Sequence, residues 1–280
     1  MSKTKQRTQR LVECAVMIAF ATVLSVLKLV ELPYGGSVTI ASMLPIVIIA
    51  YRNGIGYGLL SGLAYAIIQQ LLGVNNLGYF GQDWMSIVAV IMLDYILAFT
   101  VTGLGGVFRL KGKLSQGKAL VLGVLLVCIL RYILHTVAGA TVWAGLSIPT
   151  EAALVYSIGY NATYMLPETI INVVVAAYLA GALDFTALVP KRIVTIRGRE
   201  VSPKQKGITL IAFAILAVGI IYDCIAIFRQ LQDPETGSPT LAYLEEVEWV
   251  AVIIVSAIAL IAFAGLLIYS KVSREMREQE

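Results

Sequence analysis

Histidine occurs once in this chain of 280 residues and cysteine three times, and charged residues make up only 14% of it. A single histidine excludes the HExxH pair of a zinc protease, and no Gly-x-Ser-x-Gly elbow occurs either. Cys14, Cys128 and Cys224 each lie inside an apolar run with no CxxC spacing. They read as small core residues rather than as a disulfide framework or a metal site. The scarcity of charge excludes an ordinary soluble domain. Hydrophobic residues reach 59% and mean hydropathy is +0.84, more apolar surface than a soluble core can hide but what a bilayer accepts.

A spanning helix needs about 20 mostly apolar residues. Such runs fall near 11–30, 38–51, 56–73, 86–107, 119–138, 153–183, 208–228 and 249–270. The expected class is therefore an all-α integral membrane protein of about eight helices. The second and third runs are short or broken by glycine, and the sixth is too long for one straight span. Residues 11–30 are long enough to stay as a span, so no cleaved signal peptide is expected. With the N-terminus inside, the segments 1–10, 51–55, 108–118, 189–207 and 271–280 hold 18 of the 21 lysines and arginines. The acidic stretch 230–248 falls on the opposite face. This positive-inside pattern predicts cytoplasmic termini, and it explains the +4 net charge without a nucleic-acid partner.

Three parts are expected along the chain: a six-span membrane domain over 1–188, a basic cytoplasmic linker over 189–207, and a two-span hairpin with a charged tail over 208–280. Small residues one turn apart permit close helix approach in lipid. They occur as Ala15 and Ala19 in the first run and as Gly54, Gly58 and Gly62 around the third. Ordinary packing within the bundle is the favoured reading for the glycines.

Polar residues inside a bilayer are costly, so each asks for a reason. Asp94 lies some eight residues into the fourth span, roughly 12 Å below the outer surface at 1.5 Å per residue. Its carboxylate must be protonated, paired with Arg131 or Lys28, or waiting for a cation. Arg131 and the sole histidine, His135, stand one turn apart on the fifth span. Trp143 follows near the outer end of that span, where an interfacial tryptophan is also common. On the sixth span Ser157, Asn161, Glu168 and Asn172 fall within about 60° of one another on a helical wheel, with Tyr164 beside them. Glu168 reads equally well as a structural partner of Arg131.

Asp94, His135, Trp143, Tyr156 and Asn161 all belong to the outer half. They supply one anion, flat rings, a phenol and an amide, which suits a flat cationic heterocycle. The residues alone stop at that class. The basic loop GKLSQGKA at 112–119 nearly matches a phosphate-binding loop, but it ends in Ala119 rather than a hydroxyl residue and follows no strand. No cofactor and no metal are expected.

The segments PYGGSVTIASMLPI at 33–46, MLDYILAF at 92–99, the spacing from His135 to Trp143, and YSIGYNATYMLPE at 156–168 together resemble the thiamine-specific S-components of energy-coupling factor transporters. The resemblance covers about 1–185. It implies a six-helix protein that binds thiamine near the outer face of a bacterial cell membrane and catalyses nothing itself. Its implied partners are a transmembrane coupling subunit and two ATPase subunits. It assigns the ligand to Asp94, Tyr95, His135, Trp143, Tyr156 and Asn161, and places Ala15 and Ala19 against the coupling subunit. Tyr65 stands where some relatives carry tryptophan and Gly36 where some carry an aromatic, so Tyr34 or Trp84 is expected to help rebuild the aromatic wall. The alternatives are an S-component for another flat compound, such as a thiamine precursor, and an intramembrane enzyme built on Asp94, His135 and Glu168. The hairpin lies outside the resemblance.

Overall fold

A backbone surrounded by lipid satisfies its polar groups within a helix, and apolar runs of this length fold accordingly. The computed structural model describes residues 3–79, 84–111, 114–145, 150–187, 189–193, 203–230 and 242–277. Contacts divide the chain into two units, Met1–Arg192 and Ile193–Glu280. The first unit contains α1 (Lys3–Val26), β1 (Lys28–Glu31), β2 (Ser37–Thr39), α2 (Leu44–Asn53) and α3 (Ile55–Leu72). It continues with α4 (Trp84–Arg109), α5 (Gln116–Gly145), α6 (Thr150–Ala182) and the short pair β3 (Leu183–Asp184) and β4 (Lys191–Arg192). The second unit is α7 (Pro203–Arg229) and α8 (Trp249–Arg277). Seven of these helices are long and apolar enough to cross a membrane, and α2 is the shorter eighth. The chain is an all-helical, multi-pass membrane protein.

Two of the expected runs change character at their ends. The first helix stops at Val26, and Lys28–Glu31 pairs antiparallel with Ser37–Thr39, setting Val30 opposite Val38. The second helix begins only at Leu44, because Ala41 takes a left-handed φ of 55° and Pro45 sits in the first helical turn, where its missing N–H costs nothing. Ten residues of helix span roughly 15 Å, about half of a hydrocarbon core. The long sixth run is one helix of 33 residues that continues through Pro167.

Polar contacts gather at one end of the first unit. Arg52, at the foot of α2, pairs with Glu13 of α1 and donates to the Phe185 carbonyl at 2.7 Å, just past α6. Arg109 donates to the carbonyls of Tyr51 and Arg52. Gln116 bridges to Leu183 at 2.6 Å and accepts from Phe185 N–H at 2.9 Å. These bonds cap exposed carbonyls where helices end. The β1–β2 hairpin lies at the other end of α1 and α2.

The glycines of α3 mark an internal crossing. A Cβ on Gly58 would stand 2.6 Å from the Gly103 carbonyl oxygen and 2.9 Å from Ala50 Cα, whereas one on Gly56 would meet nothing. Gly58 therefore serves to pack α3 against α2 and α4, as the packing reading had it, whereas Gly54 would meet nothing with a Cβ and instead holds a φ of 96° between α2 and α3. Gly58→Val should lower stability by about 1–3 kcal/mol through overpacking, read as an earlier thermal transition in detergent. Gly56→Ala should melt like the parent, and equal melting of the two variants would remove the packing argument.

In the second unit, α7 and α8 pack along Gly219 and Ala259 and through an edge-to-face contact of Phe213 with Phe263, 5.0 Å between centroids. Asp223 accepts a 2.5 Å hydrogen bond from Ser256, so its partner comes from the opposite helix. Residues 194–202 of the basic linker and 231–241 of the acidic stretch lie outside the described residues.

Candidate functional site

A cavity of about 530 Å³ opens at the hairpin end of the first unit. That volume falls within the range of small-molecule sites. Its walls come from five helices, α1, α3, α4, α5 and α6, and from the hairpin, and each brings polar or aromatic groups out of an apolar run.

In α4, residues Val90–Leu97 wind as a π-helix, with Ala98 N–H donating to Leu93 O five residues back. The wider turn brings the consecutive residues Asp94 and Tyr95 both onto the cavity wall. Such turns recur at functional sites. Tyr95 donates to the Gly73 carbonyl at 3.3 Å and receives a long contact from Asn76. Asp94 Oδ1 lies 2.5 Å from His135 Nδ1, within hydrogen-bond distance. The Asp94 side chain is 28% exposed against 6% for His135, and it lines the cavity.

The fifth helix contributes His135 and, one turn below, Arg131, whose Nη2 is 3.3 Å from His135 Nε2. The Arg131 guanidinium lies 4.6 Å above the Phe99 ring and 3.9 Å from Glu168, and it also contacts the Met43 sulfur. Glu168 accepts from Thr39 at 2.8 Å, which ties α6 to β2. The structural pairing of Glu168 with Arg131 is therefore real, while Asp94 pairs with neither Arg131 nor Lys28. Lys28 is bound instead to Glu31 at 2.5 Å.

The sixth helix lines the cavity with Tyr160, Asn161, Tyr164 and Glu168. Tyr164 donates to Asn161 Oδ1 at 2.5 Å, and Asn161 Nδ2 donates to the Ser157 carbonyl at 2.8 Å. Tyr160 accepts from Gly36 N–H at 2.8 Å. A Cβ on Gly36 would stand 2.6 Å from that Tyr160 oxygen, so the hairpin docks here only because residue 36 lacks a side chain. At the hairpin tip Tyr34 holds a left-handed φ of 64° and meets Tyr160 edge to face at 6.3 Å. Burial pushes the Tyr34 phenol above its usual range.

Of the residues expected at the site, Asp94, Tyr95, His135, Asn161, Tyr65 and Tyr34 share this one cavity. Tyr156 does not line it. It is fully buried and stacks behind Tyr160 with ring centroids 6.3 Å apart. Trp143 belongs to the last turns of α5, and its side chain lies outside the described residues. Trp84 is exposed at the start of α4 and is not part of the wall. Reasoning from sequence missed Tyr160, Phe99, Gln69 and Asn76 on the wall. Tyr160 sits one turn from both Tyr156 and Tyr164 on α6.

Residues 11–186 match the family model described as thiamine transporter protein. The chain belongs to the thiamine transporter family. Among its relatives in that family is the thiamine transporter ThiT of Bacillus subtilis, 35% identical over 191 residues, covering 64% of this chain and 93% of that protein. The ThiT of Lacticaseibacillus paracasei is 26% identical over 183 residues, covering 60% and 85%. A solved structure of ThiT from Listeria monocytogenes aligns with 62% of this chain and 94% of its own, with 25% identity and a TM-score of 0.49. The matched span ends before α7, so this family member carries a further unit beyond it. Membership places the chain among transporters rather than enzymes.

Proposed function

We propose that this chain is the thiamine-capturing subunit of an energy-coupling factor importer. The observation that carries the reading is the Asp94–His135 pair, whose partly exposed carboxylate side chain lines a cavity walled by tyrosine and phenylalanine rings. A carboxylate in a low-dielectric wall favours a cation, and rings around it favour a flat one. Thiamine carries a thiazolium charge and an aminopyrimidine edge, and the relatives bear the name of thiamine transporters. A neutral precursor would use the rings and leave the charge of Asp94 uncompensated.

The basic end of the bundle is assigned to the cytoplasm by the positive-inside rule, which opens the cavity outward and puts both termini inside, in a bacterial cell membrane. Ala15 and Ala19 lie on an exposed face of α1. That face is assigned to the transmembrane coupling subunit, and hydrolysis to the two ATPase subunits that drive release. The hairpin of α7 and α8 is an appendage outside the capture machinery.

Isothermal titration of the purified chain with thiamine tests the reading, and tryptophan fluorescence gives a parallel signal. Stacking of the thiazolium on indole motivates a quench that comes chiefly from Trp143. Trp143→Ala should remove most of the quench and weaken binding. Unchanged quench and affinity in that variant would move the ligand away from the end of α5, and tighter binding of a neutral precursor would change the substrate.

A further inference from the structure

The lining of the proposed cation site also holds two cations: Lys28, which is paired with Glu31, and the buried Arg131. Arg131 is 4% exposed, lines the same cavity, and its Nε has no hydrogen-bond partner among the described residues. A buried guanidinium beside a site for a cation asks for a reason. Its contact with His135 supplies one.

Arginine has five N–H donors and no acceptor. The 3.3 Å contact from Nη2 to His135 Nε2 is therefore a hydrogen bond only when Nε2 carries no hydrogen. The hydrogen of the imidazole then sits on Nδ1, 2.5 Å from Asp94 Oδ1, and is donated to that carboxylate. Which nitrogen of a histidine is protonated follows from the bond made by the other. We propose that Arg131 is a positioning residue that holds His135 in its uncharged Nδ1–H tautomer, so that the imidazole orients Asp94 without cancelling its charge. Glu168, 3.9 Å from Arg131 and anchored by Thr39, holds the guanidinium in place. Charges then alternate along the line: Glu168 negative, Arg131 positive, His135 neutral, Asp94 negative, ligand positive. The charged and titratable groups around His135 are Asp94 from α4, Arg131 on its own helix, and Tyr164 and Glu168 from α6. The link from Asp94 to a ligand rests on the proposed thiamine site, whereas the tautomer itself does not depend on a ligand.

Because His135 is the only histidine, nitrogen NMR of the ¹⁵N-histidine-labelled full chain reads this one imidazole. The spectrum is taken without ligand at about pH 8, above the ordinary imidazole range. The parent should show a protonated Nδ1 and a bare Nε2. Asp94→Asn separates the two neighbours, because an amide can face Nδ1 with either its oxygen or its nitrogen and imposes no tautomer. With Arg131 still in place, D94N should keep the Nδ1–H form. Adding Arg131→Met and Glu168→Gln together removes the donor without stranding a buried carboxylate, and should move the ring to the Nε2–H form. A parent in the Nε2–H form, a D94N variant already converted to it, or a folded triple variant that keeps Nδ1–H would each overturn the assignment. Should the triple variant fail to fold, the D94N spectrum alone still decides against or for Arg131. None of these spectra depends on thiamine binding, so failure of the substrate reading and failure of the tautomer reading are separable.

Discussion

Replacing Asp94 with asparagine should weaken thiamine binding at least about tenfold, ~1.4 kcal/mol, in isothermal titration of the purified chain. The substitution keeps the shape of the side chain and removes its charge. What the change costs the fold is small, because Asp94 is the partner of His135 rather than of Arg131 or Lys28. The carbonyl of the new amide can still accept from Nδ1–H, and Arg131 keeps its own counter-ion in Glu168. The loss should therefore appear in the ligand and not in the melting curve. An uncharged analogue, with carbon in place of the quaternary thiazolium nitrogen, supplies the control. It never drew on the anion, so its affinity should fall much less than that of thiamine. Equal weakening of both ligands would mean that Asp94 shapes the cavity instead of balancing a charge.

The residues that were legible in advance share one property: each is polar or charged inside a run that lipid would otherwise cover. Asp94, His135, Asn161 and Arg131 stand out for that reason, because the cost of an intramembrane polar group leaves few explanations for it. Aromatic wall residues send no such signal. Phe99 and Tyr160 look like any other lipid-facing ring until the helices are placed, and Tyr156 and Tyr160, one turn apart, differ only in depth behind the wall. Backbone exceptions were also silent. Nothing in VIMLDYIL distinguishes a π-helix from an α-helix, although it is the π-turn that brings Asp94 and Tyr95 to one wall. The β1–β2 hairpin hid inside two apolar runs because a strand and a helix of four residues contain the same kinds of side chain. Glu168 was visible, but its two partners, Arg131 and Thr39, come from residues 37 and 129 positions away in the chain, and only packing could choose them.

Bulky side chains at Ala15 and Ala19 should abolish thiamine uptake in cells while leaving capture by the isolated chain intact. The two faces of α1 have different neighbours. Cys14 and Ala21 are buried in a cluster with Ile46, Ile49 and Tyr65, and Glu13 is locked to Arg52 at the basic end. Ala15 and Ala19 are exposed, together with Val12, Val16, Phe20 and Val23. A tryptophan at either position therefore starts from an exposed face of α1, away from the buried cluster on its other face. The ligand cavity, which touches α1 only through Ser25 and Val26, lies about two turns farther along the helix at 3.6 residues per turn. Close approach of two helices in lipid requires small residues at the crossing, because contact there comes from van der Waals packing rather than from expulsion of water. Ala15→Trp with Ala19→Trp would hold a partner helix several ångströms away, and coupling would fail. The expected pair of results is an unchanged titration with thiamine in detergent and uptake reduced to background in cells that express the variant at parental levels. Loss of binding along with uptake would place this face against the bundle in the working protein, and retained uptake would move the coupling surface to another helix.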